Sequence, residues 1–511
     1  MNSWLNHWSL ALVTFLPLLG AAVMMLIPRE EEQLHKAIGL GSTLATLAVG
    51  IWLFANFDYG NGGFQFVIDR SWIDVINSRF IMGVDGLSLP LLGLTLLVVP
   101  LVFIYSWDHI PEPGNPKAFL SLMLLLETGM IGSFLAEDLI LFFVFFEVVL
   151  LPMYFLIGVW GGPERRYASI KFFIYTLFGS ALMILSFLAL YFLAKDPSGV
   201  AAHTFDMRRL PALTAGIAHG TQLLIFGGMF VGFGIKVPMF PFHTWLPDAH
   251  TQAPTQGSVI LAAVLLKLGT YGFVRIGINV LPEAAHSWAP VIGVLSVIGI
   301  IYGALGCLAQ TDMKRLIAFS SVAHMGFVML GISTLTKHGI NAAMFGMVAH
   351  GLITGLLFFV AGSMKERYHT LEISRLGGML VQAPKLGWIL GLASMASLGL
   401  PGLAGFWGEF PAILAAFSPA PGLNLALFRT LMVIASLGTV LAAGYLLWLF
   451  QRTAFGTPSE EFADDPHIVD VKPLEWAAWL PMLVGIVLFG AAPGLIFNIT
   501  EKALHVLHLG G

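Results

Sequence analysis

Long apolar stretches dominate the chain, and short segments rich in proline, glycine and charge separate them. Inside lipid the backbone must satisfy its own hydrogen bonds, so apolar runs of about 20 residues cross a bilayer as helices. The pattern predicts fourteen such helices. They lie near residues 8–27, 33–56, 84–106, 118–136, 139–160, 170–194, 222–248, 257–280, 288–308, 315–333, 341–364, 386–415, 423–451 and 474–497.

Helix-breaking residues interrupt two of the predicted helices. Pro238 and Pro241 follow Lys236 in the seventh, and Pro401 and Gly402 lie within the twelfth. Proline removes an amide donor and breaks a helix. Paired broken helices in the two halves of a chain are typical of inverted-repeat transporters, with the site at the breaks.

We therefore predict an all-α polytopic membrane protein with two inverted five-helix repeats, helices 4–8 and 9–13. Helix 7 is the broken helix of the first repeat, and helix 12 that of the second. The repeats divide the chain into four predicted regions. These are a three-helix region at 1–117, the first repeat at 118–280, the second repeat at 281–455, and a loop with the last helix at 456–511.

Composition excludes several classes of function. Of the 511 residues, 57% are apolar and only 11% are charged, whereas about a quarter of a soluble domain is charged. Large soluble domains are therefore excluded. The single cysteine, Cys307, cannot form an internal disulfide or hold an iron–sulfur cluster. The net charge of −4 and the lack of a phosphate-binding glycine loop argue against a nucleic-acid or nucleotide site.

Basic residues are unevenly shared between the loops on the two sides of the membrane. The side richer in Lys and Arg should face the cytoplasm. This rule places both termini on the opposite side.

Six ionisable residues fall near the middle of predicted helices, where a charge costs about 2.5–3.5 kcal/mol and is usually functional. They are Glu147, Lys236, Lys267, His324, His350 and Glu409. A Glu–Lys pair stabilises the charged form of both partners, so a change in their separation would switch proton affinity. Histidine is the natural intermediate carrier. The set therefore indicates proton transfer, with a merely structural role as the alternative for each residue.

Four further residues are candidates for an accessory relay. His243 and His250 lie in or beside the first break, and Glu127 and Asp138 lie nearer helix ends, where a structural role is an equal alternative. No two of these ten groups have metal-ligand spacing on one helical face, so we predict no metal site.

Several segments resemble a known family. They are FFVFFEVVLLPMYFLIGVWGGPERRYASIKFFIYTLFGS, GIKVPMFPFHTWLPDAHTQAPTQGSVILAAVLLKLGTYGFVRI, DMKRLIAFSSVAHMGF and GVDGLSLP. They are similar to the antiporter-like, proton-translocating subunits of bacterial respiratory complex I, the NADH:quinone oxidoreductase, and most of all to its M-type (chain 4) members. The likeness is strongest from about residue 80 to 455.

The resemblance implies a translocase subunit of the bacterial cytoplasmic membrane that pumps protons while electrons pass from NADH to quinone in other subunits. In such a membrane, the distribution of Lys and Arg predicts that both termini are periplasmic. It implies no redox chemistry and no cofactor in this chain; NAD, FMN, iron–sulfur clusters and quinone would be held by partners. The partners are other complex I subunits, including neighbouring L- and N-type antiporter-like chains, and lipids.

The resemblance also suggests a role for each of the six residues. Glu147 and Lys236 match the input pair, Lys267 the central lysine, His324 and His350 the connecting histidines, and Glu409 the terminal acidic residue. Sister subunits typically carry lysine where this chain has Glu409.

Three alternatives stay open. A subunit of a multisubunit cation/proton antiporter or of a membrane-bound hydrogenase would share the fold and the central Glu and Lys. A non-pumping scaffold would bridge neighbouring subunits, and neutral substitutions at mid-depth would then leave pumping unchanged.

Overall fold

The computed structural model of the protein describes residues 2–196, 198–463 and 465–507, with side chains from residue 5 onward. Helices make up most of it. In chain order the elements are α1 Asn2–Met25, α2 Glu32–Asn56, β1 Gln65–Ile73, β2 Ser78–Val84, α3 Ser88–Tyr105, α4 Pro116–Leu135, α5 Leu139–Val148, α6 Leu150–Trp160, α7 Arg165–Leu193, α8 Leu210–Leu213, α9 His219–Lys236, α10 Trp245–Gln252, α11 Thr255–Ile260, α12 Leu266–Gly272, α13 Pro282–Leu308, α14 Met313–Ser333, α15 Lys337–Tyr368, α16 Met379–Gln382, α17 Pro384–Ser397, α18 Ala404–Ala415, α19 Leu425–Ala454, α20 Pro473–Ala491 and α21 Gly494–Leu504.

Within the described ranges, 12 helices are long and apolar enough to cross a membrane. One of them combines α5 and α6. Another, Thr255–Ile278, joins α11 to α12 through a π-helical turn at Leu261–Leu265 and ends in a second π-helical turn at Phe273–Ile278. The predicted all-α polytopic fold is confirmed. The count of fourteen crossings, the inverted repeats and the region boundaries remain predictions.

Polar side chains begin several of these helices. A free carboxylate or amide oxygen there accepts from an otherwise unbonded amide of the first turn. Asp312 accepts from the Arg315 amide at 2.8 Å, and Asn424 accepts from the Leu427 amide at 3.1 Å. Short polar residues thus fix where apolar helices start.

The two predicted interruptions are present. α9 ends at Lys236, and the chain resumes helical structure at Trp245, with Pro238 and Pro241 in the segment between. α17 ends at Ser397 and α18 begins at Ala404, with Pro401 and Gly402 between. Gly402 has φ +94, a left-handed conformation that favours glycine, so this residue type suits the turn at the second break.

A β-hairpin and the π-helical turns were not predicted from the sequence. β1 and β2 pair antiparallel, with Asp69 opposite Ile81 and Arg70 opposite Phe80. The predicted start of the third helix at residue 84 is wrong, because Val84 ends β2 and α3 begins at Ser88. The Asp85 carboxylate accepts from the Leu87 and Ser88 amides, each at 3.0 Å, and so turns the chain into α3.

Burial separates inner helices from outer ones. The most apolar part of the helix Thr255–Ile278 is fully buried, and so is that of α15, whereas α2, α7 and α19 leave most of theirs uncovered. Large apolar side chains such as Leu185, Phe192 and Val440 are exposed on the outer helices. Exposed apolar faces on spanning helices suit contact with lipid, so ionisable groups on the inner helices are shielded from it.

A buried ion pair ties α15 to the start of α20. The Arg367 guanidinium donates to the Glu475 carboxylate at 2.8 and 2.7 Å, and both side chains are almost fully buried. Removing one partner of such a pair leaves an unpaired buried charge and costs about 3–5 kcal/mol.

We expect Arg367→Met to lower the melting temperature of the assembled complex. Arg375→Met, which breaks the exposed pair with Glu461, should leave it unchanged.

Candidate functional site

The first broken helix presents Lys236 at its end. The break frees carbonyl groups in the last turn of α9, and two nearby donors bond to them: the Trp245 indole to the Ile235 oxygen at 2.9 Å and the Met239 amide to the Gly234 oxygen at 2.8 Å. Lys236 is only 3% exposed, and its Nζ lies 4.8 Å from the centroid of the Phe146 ring. The lysine is thus held at the break in an apolar setting with a cation–π contact.

Glu147 is the nearest acidic partner of Lys236. It lies next to Phe146 near the end of α5, and the two side chains interact electrostatically. The Ser180 hydroxyl of α7, which donates to the Thr176 carbonyl oxygen at 3.0 Å, lies near enough to interact with the Glu147 carboxyl. Glu147 is half-buried within this chain. A carboxyl beside a buried ammonium and a hydroxyl can keep or lose its proton as the separation changes.

Lys267 lies at full burial between the two π-helical turns. Its Nζ donates to the Ala262 carbonyl oxygen at 2.5 Å and lies 2.7 Å from Nδ1 of His350. A π-helical turn shifts the backbone hydrogen bonds by one residue, and such turns are frequent at functional sites. The local distortion brings one lysine into contact with a carbonyl of its own helix and a histidine of α15.

Lys236 and Lys267 lie on helices that touch. A Cβ added at Gly269 of α12 would come within 3.0 Å of the Cβ of Lys236, so only glycine allows this approach. In the described part of the chain, no direct hydrogen bond joins the two ammonium groups. A proton moving between them would therefore need ordered water.

The two histidines lie beside a small cavity. Their ring centroids are 6.0 Å apart, and the cavity has a volume of about 20 Å³. Its lining includes His324, His350, Thr354, Ser397 and Glu409. A space of this size holds roughly one water molecule, and the polar lining supplies the partners that a buried water needs. Within the described ranges, Nε2 of His350 has no hydrogen-bond partner in the protein, so it is available to such a water.

His324 joins this cavity to Glu409. Nδ1 of His324 lies 2.5 Å from Oε1 of Glu409, and Nε2 lies 3.1 Å from the Ser397 hydroxyl and 3.2 Å from the Tyr445 hydroxyl. Gly346 of α15 and Gly408 of α18 pack against each other with almost no space for a side chain. This close approach brings the adjacent Glu409 to the level of the histidines.

Glu409 also belongs to the second break. Its side chain is 8% exposed, and Oε2 has no hydrogen-bond partner among the described residues. Gly399, in the interruption, lies so near that an added Cβ would come within 3.3 Å of Oε2. Each of the two broken helices thus places one of the predicted proton-transfer residues, Lys236 or Glu409, beside irregular backbone.

Sequence reasoning missed three hydroxyl groups of this site. Ser180, Ser397 and Tyr445 contact Glu147 or His324 across helices. Tyr445 could have been noticed as a polar tip within a long apolar run, and Ser397 as the last residue before a break. Hydroxyl side chains are common in membrane helices, however, so neither position stands out without the contact.

The accessory candidates have different surroundings. His250 is fully buried, stacks on Phe358 with centroids 4.4 Å apart, and has no hydrogen-bond partner for either ring nitrogen among the described residues. His243 packs in the first break between Phe240 and Tyr302. Within the described ranges no hydrogen bond joins either histidine to Lys236, Lys267 or His350, but His250 interacts electrostatically with Lys267 and His350.

The two acidic candidates also differ from each other. Glu127 on α4 is fully buried, and its carboxylate oxygens have no hydrogen-bond partner in the described part of the chain. Asp138 is the N-cap of α5: it accepts from the Ile140 and Leu141 amides at 3.0 and 3.2 Å and from the Ser78 hydroxyl at 3.0 Å. These contacts give Asp138 a structural role.

The described fold and the six ionisable residues predicted for proton transfer together define an antiporter-like membrane subunit. Comparison with known proteins agrees. The family "NADH:quinone oxidoreductase/Mrp antiporter, TM" matches residues 136–435, and "NADH-ubiquinone oxidoreductase chain 4, amino terminus" matches residues 12–133. The chain is 41% identical to NADH-quinone oxidoreductase subunit M of Rhodobacter capsulatus, over 98% of this chain and 96% of that one. The chain therefore belongs to the NADH-quinone oxidoreductase subunit M family.

Solved structures extend the comparison. A chain of respiratory complex I from Thermus thermophilus superimposes with a TM-score of 0.85 at 29% identity, covering 98% of this chain and 100% of that one. A chain of the Mrp complex from Dietzia has a TM-score of 0.84 at 20% identity, covering 99% of this chain and 98% of that one. This second likeness shows a shared fold.

Proposed function

We propose that the chain is a proton-translocating membrane-arm subunit of NADH:quinone oxidoreductase and carries one proton pathway through the row Glu147, Lys236, Lys267, His350, His324 and Glu409. The chain itself would hold no redox cofactor; oxidation of NADH and reduction of quinone would take place in partner subunits. Family membership supports the complex, and the contacts of the row support the route.

One observation carries the route: Lys267, His350, His324 and Glu409 form a nearly continuous series across four helices. The contact from Lys267 to His350 is 2.7 Å, and that from His324 to Glu409 is 2.5 Å. Only the step between the histidines lacks a direct bond among the described groups, and the cavity of about 20 Å³ lies there. A charged group within the membrane is costly, so four ionisable groups that lie this close together there favour a functional role.

The proposed mechanism is electrostatic. A signal from the quinone site reaches Glu147 and changes its interaction with Lys236, which then gives up its proton more readily. The proton passes to Lys267 through ordered water, then to His350 and His324, and finally to Glu409. Histidine suits the middle of the path because each ring nitrogen can either donate or accept.

Glu409→Gln tests the route at its terminal group. The amide keeps the size of the side chain but cannot take up a proton, so we expect NADH-driven proton pumping to fall with assembly intact. The measurement is acidification or alkalinisation of vesicles holding the reconstituted complex. Glu283→Gln is the control for the substitution itself: Glu283 is exposed and belongs to none of the candidate groups, so its replacement should leave pumping unchanged. Equal pumping by Glu409→Gln and the unmodified complex would contradict the route.

A cation/proton antiporter subunit is the second candidate, because the matched family description includes Mrp antiporters. Purification distinguishes the two. We expect the chain to co-purify with NADH dehydrogenase activity, and co-purification with small antiporter subunits instead would overturn the assignment to complex I.

A further inference from the structure

A buried arginine lies at one end of the helix that carries Lys267. Arg275 belongs to the π-helical turn Phe273–Ile278 and is only 2% exposed. It follows Lys267 by eight residues, or about 12 Å of helix. The proposed proton route does not use it, yet a buried charge so near the central lysine is costly unless it has a role.

Arg275 contacts one hydroxyl and two carboxylates. Its Nε donates to the hydroxyl of Tyr271, which is about one turn nearer to Lys267 along the helix, at 3.0 Å, and that hydroxyl donates to the Phe134 oxygen at 2.9 Å. One terminal nitrogen donates to the Asp85 carboxylate at 2.6 Å, and the same Nε lies 3.7 Å from Glu137. The guanidinium therefore holds Tyr271, Asp85 and Glu137 together.

The β-hairpin and the segment around residue 207 both bond to the backbone of Glu137. The Glu137 amide donates to the Ile81 oxygen of β2, and the Met207 amide donates to the Glu137 oxygen, both at 2.9 Å. Beyond them, Arg208 pairs with Asp206 and Asp69, each at 2.8 Å. The hairpin and the segment around residue 207 thus enclose the cluster formed by Arg275, Tyr271, Asp85 and Glu137.

This arrangement suits a barrier to protons. Arginine keeps its charge at all accessible pH values and so cannot relay a proton. Its hydrogen bonds to the Tyr271 hydroxyl and the Asp85 carboxylate also mean that a proton arriving along this helix meets a donor that cannot take it up. Asp85 and Glu137, which could carry a proton outward, are both in contact with this guanidinium.

We propose that the Arg275 cluster is a seal, built on a group that cannot relay a proton, which stops a proton on Lys267 from leaving along its own helix, so that it passes to His350 instead. The proposal rests on the proposed proton pathway. A purely structural ion cluster is the alternative, although buried ion pairs often add little stability over apolar packing.

The test is passive proton leak. The whole complex is reconstituted into vesicles without NADH, the external pH is changed, and the internal pH is followed with a trapped dye. We expect Arg275→Gln to raise the leak by roughly tenfold or more, because a barrier reduced by little more than 1 kcal/mol gives that factor. Arg275→Lys keeps a positive charge but can release and take up a proton, so it should leak as well. Arg208→Gln removes an arginine outside the cluster and should stay tight.

Three outcomes would overturn the seal. The first is an assembled Arg275→Gln complex that leaks no more than the unmodified one. If that variant does not assemble, Asp85→Asn with Arg275→Gln removes both charges, and a tight double variant is the second. Failure of the double variant to assemble is the third, because it assigns the cluster a structural role. Glu409→Gln should be tight in this assay although it pumps poorly, so failure of the seal and of the pathway are distinguishable.

Discussion

Replacing Lys267 with methionine should abolish proton transfer through this chain. The ammonium group is the only charged contact of the His350 ring among the described residues, and it also bonds to the Ala262 oxygen. A positioned group that gives and takes a proton contributes about 10²–10⁴-fold to a transfer rate, so we expect at least about a hundredfold loss on this path. The measurement is NADH-driven proton pumping by the assembled complex in vesicles.

Two further variants separate charge from proton exchange at this position. Lys267→Arg keeps the charge and the donors but cannot release a proton, so it should pump as poorly as Lys267→Met. Lys117→Met is the control, because Lys117 also donates to backbone oxygens, those of Met25 and Ile27, but lies outside the row. Normal pumping by Lys267→Arg would show that charge alone is required there.

Glu147→Gln should uncouple Lys236 from its acidic partner and lower NADH-driven pumping with a similar loss. The neutral amide leaves the buried ammonium without the negative charge that interacts with it. A lone charge at bilayer depth costs about 2.5–3.5 kcal/mol, which is enough to change the protonation balance of Lys236 more than tenfold. Pumping is compared with that of Glu147→Asp, which keeps the charge and should retain most of it.

The pair can be tested for acting as a unit. Adding Lys236→Ala to Glu147→Gln should cause little further loss, because residues that share one interaction have non-additive effects. Losses that simply add would mean that Glu147 and Lys236 act independently, and the proposed input step would be wrong.

The fold was largely predictable because lipid restricts the backbone to helices. Runs such as the one around Glu147 can form only one regular structure there. Pro238 and Gly402 marked the breaks because their backbone chemistry does not depend on tertiary contacts. The hairpin Gln65–Val84 was missed because its strands are short, charged and outside the apolar pattern.

The candidate site was predictable in its members but not in its connections. Depth along a helix identified Lys267 and His350, yet their bond joins residues 83 positions apart and depends on a π-helical turn that no local pattern indicates. The contacts of His324 with Ser397 and Tyr445 are likewise long-range. Single positions follow from the cost of burying charge, whereas partners follow from how helices pack.

The most direct test of the pathway is a density map of the whole complex at a resolution that shows ordered water. The account predicts a water in the cavity between the His350 and His324 rings, and a chain of waters between Lys236 and Lys267. Continuous apolar packing in both places, with no water and no space for one, would contradict it.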